Sequence, residues 1–486
     1  MIDVCLILEG TYPYVAGGVS TWVHQLISAM TDIRFGIVYI APNSDPTRAP
    51  KYELPPHVIS LKEIYLHDYQ LQKKRLREPT LQDLAIVRNF YLGLATNNHT
   101  LFPDFLALFN GQNQCFDTTT FFSHKGIWNI LVELYDQTAS DISFLDFFWT
   151  WRGTHLPLMN ILQATLPQAR IYHAVSTGYA GLLGAIAKQL TGSRFFVTEH
   201  GIYTHERLLE IAQANWIYEQ QREHFRAERD LSFFKKWWVT LFQVMSQIAY
   251  HQADRLFTLY EGNRLRQILE GAPTEKIQII PNGIDLAGFA SIKKEPRAGL
   301  HIGLIGRIVS IKDVKTFLEA AALVHRQMPE TRFYLIGPTD EEEDYFEECK
   351  TLAETLGLDH VLSFTGRADI RDYYKFLHIL VLTSVSEAQP YVILEANICG
   401  IPVVATDVGA CREMLEGRGT EDRAIGPSGL ITDVANPHAT AEALLQLAKD
   451  QPLYEAMALA GRERVKRFYD QDDLLSRYLN LYEQNL

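Results

Sequence analysis

Long apolar runs and blocks of basic residues are both missing from this 486-residue sequence. A membrane-spanning helix needs about 18 consecutive apolar residues, and no stretch of the sequence is that long. The first residues show neither the basic lead nor the small-residue cleavage site of a secretory signal peptide. The formal net charge of −13 is spread along the chain, which gives a nucleic-acid surface no electrostatic footprint. We therefore expect neither a spanning helix nor a nucleic-acid partner.

Cysteine is scarce and never paired closely. The odd number and the lack of any C-x-x-C spacing predict neither a disulfide framework nor a zinc site, and they favour a reducing, cytoplasmic location. The five cysteines are Cys5, Cys115, Cys349, Cys399 and Cys411.

What is present is a globular composition with a repeated α/β pattern. Apolar residues make up 47 % of the chain, and its length suggests two or three domains. Val4–Leu8 predicts a buried strand, a glycine loop follows, and helical spacing begins at Val19. Strand and helix alternation restarts at "LHIGLIGRIV". We predict an α/β protein of two Rossmann-like domains facing across a cleft.

Composition shifts predict the domain limits. The first domain is predicted at 1–285, with helical insertions at about 65–167 and 206–252 that are rich in aromatic residues. A Pro-Asn-Gly turn followed by a polar segment marks its end. The second domain is predicted at 286–462, and the helix at 463–486 is predicted to pack back on the first domain.

Four charged residues lie where strands of the second half end. Glu387 follows the strand "ILVLTS" and Glu395 lies inside the next helix, while Arg307 and Lys312 follow the strand "IGLIG". In open parallel sheets ligands bind at this edge. Two cations for phosphate oxygens and two carboxylates for hydroxyls would suit a sugar nucleotide.

Two further features are ambiguous by themselves. Gly17-Gly18 precedes the first helix and predicts either a tight turn or a close approach of backbone N–H groups to an anion. The spacing G-x-G-x-x-G is absent, which argues against a dinucleotide-dependent oxidoreductase. The acidic run Asp340–Asp344 is interpreted as a solvated helix start.

Several short motifs run along the whole chain and are densest in its second half. They are Gly17-Gly18-Val19, "TEHG", "IPNGID", "GRIVSIKD", "FTGR", the Glu-x(7)-Glu pair with "LEANICGIPVVATDVGA", and "RFYDQDD". Taken together, these motifs resemble those of glycosyltransferase family four, the retaining enzymes of the GT-B fold.

The resemblance implies a role for each charged residue. Arg307, Lys312 and Glu387 are the predicted catalytic residues. The two cations are expected to bind a donor diphosphate and stabilise the departing nucleotide without a metal ion or a separate cofactor. Glu387 is expected to contact the donor sugar, and Glu395 to accept hydrogen bonds from the ribose.

The remaining predicted substrate-binding residues are Gly17, Gly18, His173, His200 and Asn282. His173 stands where relatives begin a His-x-His motif whose second histidine is absent here, so it is either a substrate ligand or a satisfied core histidine. Ala388-Gln389 departs from the glycine that many relatives carry after the first glutamate. That departure leaves the identity of the sugar open.

The function implied by the resemblance is extension of a bacterial exopolysaccharide from a UDP-sugar donor, UDP-N-acetylhexosamine or UDP-glucose, on the cytoplasmic side. Its expected partners are the growing polysaccharide and inner-membrane proteins of a synthase complex. A noncatalytic scaffold subunit with the same fold is the alternative. The four retained charged residues argue against that alternative.

Overall fold

The computed structural model describes residues 1–69, 76–94, 98–213, 232–295 and 297–486. The chain folds into two compact units. The first comprises Met1–Thr258, Arg264–Gln278 and Leu479–Leu486, and the second comprises Leu259–Asn263 and Ile279–Tyr478.

A seven-stranded sheet forms the centre of the first unit, in the order β3-β2-β1-β4-β5-β6-β7. Its first strand is buried on both faces, as its apolar run "IDVCLILE" predicts for a covered parallel sheet. The strands are β1 (Ile2–Glu9), β2 (Phe35–Ala41), β3 (Val58–Tyr65), β4 (Ala169–Ala174), β5 (Arg194–Glu199), β6 (Arg255–Thr258) and β7 (Ile277–Ile279).

Helices cover this sheet and extend its core. The described residues of the predicted insertion at 65–167 form five of them, with rings such as Phe90 and Phe105 stacked at a centroid distance of 4.1 Å. Of the second predicted insertion, residues 214–231 lie outside the described residues. The helices up to residue 269 are α1 (Gly18–Ala29), α2 (Leu81–Leu94), α3 (Phe102–Ala107), α4 (Thr118–Ser123), α5 (Lys125–Thr138), α6 (Phe144–Leu162), α7 (Gly178–Thr191), α8 (Tyr203–Gln213), α9 (Phe233–Gln252) and α10 (Glu261–Leu269).

A six-stranded sheet forms the centre of the second unit, in the order β10-β9-β8-β11-β12-β13. One apolar core lies against α12 and α18, and another contains residues of α15 and α16. The strands are β8 (His301–Ile305), β9 (Arg332–Ile336), β10 (Leu362–Gly366), β11 (Ile379–Leu382), β12 (Val403–Thr406) and β13 (Gly429–Thr432). The helices after residue 280 are α11 (Leu286–Ala290), α12 (Val314–Gln327), α13 (Glu343–Thr355), α14 (Ile370–Tyr374), α15 (Tyr391–Ile398), α16 (Cys411–Glu416), α17 (Gly419–Arg423), α18 (Pro437–Lys449), α19 (Gln451–Phe468) and α20 (Gln471–Glu483). The last residues of α20, from Leu479, belong to the first unit.

Both sheets have a topological switch point, where the strand order reverses. It lies between β1 and β4 in the first sheet and between β8 and β11 in the second, and both strand pairs are parallel. Loops leaving the carboxyl ends of two such strands diverge to opposite faces and leave a crevice in which ligands bind. Among the described residues, no helix is long and apolar enough to cross a membrane.

Candidate active site

The loops that leave the switch point of the second sheet carry three of the predicted site residues. β8 is followed by Arg307 and Lys312, and β11 is followed by Glu387. Asp313 caps the next helix with its side chain, which accepts from the Thr316 N–H at 3.3 Å and so fixes where the first loop ends. Because β8 and β11 pair directly, the structure brings the two loops together.

Lys312 and Glu387 join these loops in a salt bridge. The Lys312 Nζ lies 2.5 Å from the Glu387 Oε1, with the two side chains 21 % and 12 % exposed. The Ser384 hydroxyl donates to the same oxygen at 2.6 Å. Partial burial strengthens the interaction of each charge with its neighbours, and the remaining exposure leaves both within reach of a ligand.

Arg307 pairs with a carboxylate that sequence reasoning had assigned to solvent. Its guanidinium lies 2.5 Å from Glu341 in an exposed ion pair, and the neighbouring Glu342 accepts from the Ser310 N–H at 2.9 Å. The helix α13 begins only at Glu343, so three residues of the acidic run precede it, and two of these contact the loop after β8. An anion bound at Arg307 would have to displace Glu341.

Glu395 lies in the second turn of α15, and its carboxylate accepts from the Tyr374 hydroxyl at 2.8 Å. Burial raises the pKa of Glu395 to about 7, although the bond from Tyr374 and the charge of Arg371 act in the opposite direction. A half-buried carboxylate that accepts a single hydroxyl has capacity for further donors. The hydroxyls of a ribose could supply them.

The loop between Glu387 and α15 also offers backbone donors. In the part of the chain that the structure describes, the N–H groups of Ser386, Glu387, Ala388 and Gln389 donate to no backbone or side-chain acceptor. The Ala388 carbonyl is held by the Ala410 N–H at 2.8 Å. The loop is therefore anchored through its acceptors while its donors stay available.

Asn282 is held by Gln389, a contact that sequence reasoning missed. The Gln389 Oε1 accepts from the Asn282 N–H at 2.7 Å, and the Gln389 Nε2 donates to the Asn282 carbonyl at 3.4 Å. Both residues are buried. The partners are 107 positions apart, and no local pattern signals their pairing.

The two predicted histidines of the first unit are buried. His173, at the end of β4, is fully buried and bonded to the Tyr482 hydroxyl at 2.6 Å and the Thr198 hydroxyl at 2.8 Å. His200 is 7 % exposed and packs edge-on against Trp22, with ring centroids 4.8 Å apart. Burial lowers the pKa of His173 to about 3 and that of His200 to about 4, so both rings are neutral at physiological pH.

Glu199, immediately before His200, was not singled out from the sequence. Burial raises the pKa of this carboxyl, which four hydrogen bonds from four different residues satisfy. The donors are the Thr177 hydroxyl, the Tyr203 N–H, the Tyr250 hydroxyl and the Gln267 amide. They come from segments scattered over about 90 positions, so Glu199 ties the carboxyl end of β5 to its surrounding helices.

Gly17 and Gly18 lie at the exposed start of α1, on the β1 side of the first switch point. No side chain caps this helix, and a Cβ at Gly17 would meet no atom within 4 Å. The geometry leaves open space before the helix.

Comparison with known proteins gives the family of the first unit. The model of the family described as "Domain of unknown function (DUF3492)" matches residues 2–275, more than half of the chain. The chain belongs to this family. A second model, described as "Glycosyl transferases group 1", matches residues 299–450, the part that carries the strand-end charges and Glu395.

Curated relatives match a shorter stretch. The D-inositol 3-phosphate glycosyltransferase of Kineococcus radiotolerans is 28 % identical over 234 residues, which is 44 % of this chain and 54 % of the relative. That of Kribbella flavida is 28 % identical over 233 residues, or 45 % and 51 % of the two chains. The chain spans about half the length of the curated relatives it matches.

Solved structures match nearly the whole chain at low identity. Sucrose-phosphate synthase from Thermosynechococcus elongatus has a TM-score of 0.58 at 17 % identity, covering 99 % of this chain and 98 % of that one. Anabaena Alr3699/HepE in complex with UDP has a TM-score of 0.59 at 15 % identity, covering 99 % and 100 %. The predicted GT-B fold is confirmed by these structures. The match of residues 299–450 to the group 1 model supports the predicted glycosyltransferase activity.

Proposed function

We propose that this chain is a retaining glycosyltransferase that transfers a sugar from a UDP donor to a growing polysaccharide. The observation that carries the proposal is the contact of Lys312 with Glu387 across the switch point of the second sheet. It places a cation and a carboxylate at the sheet edge where ligands of this fold class bind. Solved structures of the same fold that contain UDP and UDP-glucose support the donor class.

The cations act on the diphosphate. Lys312 and Arg307 bind phosphate oxygens and stabilise the negative charge that builds up on the departing nucleotide, the largest single contribution in many transferases. When the diphosphate binds, Arg307 leaves the Glu341 carboxylate and pairs with a phosphate oxygen. Lys312 binds the phosphate while it keeps its salt bridge to Glu387. Two fixed cations supply the electrostatic role that a divalent metal plays in other transferases, so we expect activity without added metal.

The carboxylates position the donor. Glu395, in its ionised form, accepts from the ribose hydroxyls. Glu387 accepts from a hydroxyl of the sugar, and the Ser384 hydroxyl and Lys312 ammonium fix its orientation. The free N–H groups beside it bind further sugar oxygens. Transfer occurs on one face of the sugar, with the leaving phosphate close to the acceptor hydroxyl, and requires no protein nucleophile.

The remaining predicted residues are proposed to contact substrates. Asn282 faces the donor sugar. Open space lies before α1 at Gly17, and the exposed backbone N–H groups of Gly17 and Gly18 are proposed to bind the substrate there. His200 and His173, both neutral, are proposed to shape the wall of the first unit through Trp22 and Tyr482.

The first residues and the helical insertions resemble those of PelF, the glycosyltransferase of Pel exopolysaccharide synthesis. From this resemblance we propose which polysaccharide the enzyme extends and where in the cell it acts. The donor is UDP-N-acetylhexosamine or UDP-glucose, and the enzyme works in the cytoplasm beside inner-membrane partners. Family membership through residues 2–275 is compatible with this assignment because the helical insertions belong to that family's own segment.

The proposal is tested by incubating the purified chain with a panel of UDP-sugars in the presence of EDTA and measuring UDP release. We expect slow hydrolysis of one donor. NMR should show that the sugar is released with the same anomeric configuration, α, that it has in the donor. No UDP release with any donor would favour the scaffold alternative. Inversion of the anomeric centre would contradict the retaining mechanism.

A further inference from the structure

The turn that contains Asn282 is fixed along one side by the end of the chain's second unit. Ile284 pairs with Asp470, its N–H donating to the Tyr469 carbonyl at 3.0 Å and its carbonyl accepting from the Gln471 N–H at 3.1 Å. A Cβ at Gly283 would stand 2.7 Å from the Gln471 Cα. The start of α20 therefore packs directly on the backbone of this turn.

Gln389 fixes the other side. Its carboxamide accepts from the Asn282 N–H and donates to the Asn282 carbonyl, which is the pairing that a neighbouring β-strand would offer. A glutamate at this position would keep the acceptor and lose the donor, and an aliphatic residue would lose both. Because Gln389 is 6 % exposed, water cannot readily replace it.

With its main chain held, Asn282 presents a side chain that lacks one partner. The residue is 4 % exposed, and its Oδ1 is buried without a hydrogen-bond donor among the described residues. Nearly all buried polar groups in folded proteins are hydrogen-bonded, so this amide oxygen keeps the capacity to accept a donor from a ligand.

The position of Gln389 indicates which donor that is. Gln389 follows Glu387 by two residues and belongs to the loop whose N–H groups donate to no acceptor among the residues that the structure describes. The two hydrogen bonds of Gln389 therefore hold this loop and the Asn282 turn together. Gln389 thus links the Asn282 turn to the loop that carries Glu387, two residues away.

We propose that Gln389 is a positioning residue for the donor sugar, because it holds Asn282 so that the Asn282 amide oxygen accepts a hydrogen bond from a hydroxyl or amide N–H of that sugar. This inference rests on the proposed function and deepens it. It assigns sugar discrimination to Asn282 and Gln389 and nucleotide binding to Arg307, Lys312 and Glu395.

A purely structural bond would behave differently. Loss of such a bond would weaken UDP and UDP-sugar binding alike, in proportion to lost stability. Loss of a bond that positions Asn282 weakens the binding of the UDP-sugar and leaves the affinity for UDP unchanged. The ratio of the dissociation constants for UDP and for its sugar conjugate separates the two cases, because the nucleotide contacts cancel in that ratio.

The experiment compares Gln389→Leu with Asn397→Ala by calorimetric titration. Asn397 is a matched control, since it is 1 % exposed, lies on α15 and donates to the Ser428 hydroxyl at 3.0 Å. Among the described residues its Oδ1, like that of Asn282, has no donor, but Gln389 does not hold it. The probes are UDP, UDP-glucose, UDP-galactose, UDP-N-acetylglucosamine and UDP-N-acetylgalactosamine. For Gln389→Leu we expect unchanged UDP affinity and about a tenfold weaker binding of the sugar conjugate that the natural chain prefers.

Two further variants keep the test decisive if Gln389→Leu folds poorly. Gln389→Glu preserves shape and acceptor, and Asn282→Ala removes the amide oxygen without touching the backbone bonds. We expect Asn282→Ala to lose the same sugar preference, and the double variant to be no worse than either single one.

Equal losses for UDP and UDP-sugar in Gln389→Leu, the same change of ratio in Asn397→Ala, or additive losses in the double variant would overturn the inference alone. If the natural chain binds none of the UDP-sugars, the proposed function fails, and this inference fails with it.

Discussion

The two switch points of this chain share a topology and differ in how their polar groups are used. At the first, His173 is fully buried, neutral and bonded to Tyr482 and Thr198, and nearby Glu199 is satisfied by four donors. At the second, Lys312 and Glu387 are charged, partly exposed and bonded mainly to each other across the strands.

The difference shows that position at a strand end does not by itself make a residue a ligand. Buried groups that are fully satisfied by their own chain stabilise the fold, since breaking their bonds leaves unpaired partners. Charges that retain solvent contact and exchangeable partners are available to a substrate. On the proposed function, we therefore expect nucleotide binding at the second unit and a mainly structural contribution from the buried groups of the first, including the histidines that shape its wall.

The largest effect on stability is expected for Glu199→Ala. Removing the carboxylate leaves the Thr177, Tyr250 and Gln267 donors without their acceptor in a buried site, at a cost of about 3–5 kcal/mol in the free energy of unfolding. Urea denaturation measures this cost. UDP affinity should be unchanged in the folded variant, and a selective loss of UDP binding without destabilisation would break the comparison.

A pH-dependent effect is expected for Glu395→Gln. Burial raises the pKa of Glu395 to about 7, so the protonated form is favoured in the folded chain. The stability this contributes is complete below the ordinary carboxyl pKa and is lost as the pH rises through about 7. Glu395→Gln removes the titration and should be more stable than the natural chain by up to about 3 kcal/mol at pH 8.

Urea denaturation at pH 5 and pH 8 measures the difference, which should shrink at the lower pH. If Glu395 also binds ribose, the more stable variant binds UDP more weakly. A variant that gains stability at pH 8 and keeps full UDP affinity would remove Glu395 from the binding site.

The smallest effect is expected for Glu341→Gln. The Arg307–Glu341 pair is exposed on both sides, and such pairs contribute about 0–1 kcal/mol. Freeing Arg307 should therefore tighten UDP binding by no more than about fivefold, and less at high salt. Glu348→Gln is the control, since it breaks the equally exposed pair with Lys315. Weaker UDP binding in Glu341→Gln would mean that Glu341 orients Arg307 instead of competing for it.

The sequence was sufficient for the fold and for the strand-end charges because both depend on local patterns. Apolar runs followed by helical spacing predict α/β halves, and parallel strands bring their carboxyl ends to one edge. Long-range pairings have no such signal. The sequence shows that Gln389 departs from the residue pattern of many relatives, but it does not show the bond of Gln389 to Asn282. The bond between His173 and Tyr482, 309 positions apart, likewise appears only in the folded chain.

The acidic run shows the same limit. Its charges favour a helix start, and α13 does begin at Glu343. The preceding Glu341 and Glu342 instead contact the loop after β8, more than 30 positions away. Composition alone cannot assign individual carboxylates of such a run to solvent or to a cation.

Calorimetric titration of UDP against Lys312→Ala and Lys315→Ala tests the central claim, that the switch point of the second sheet binds the nucleotide. The two lysines lie three positions apart and each pairs with one glutamate, Glu387 or Glu348. We predict a loss of about 2–4 kcal/mol of UDP binding energy for Lys312→Ala and almost none for Lys315→Ala. Equal affinity in the two variants, or unchanged affinity in Lys312→Ala, would contradict the account.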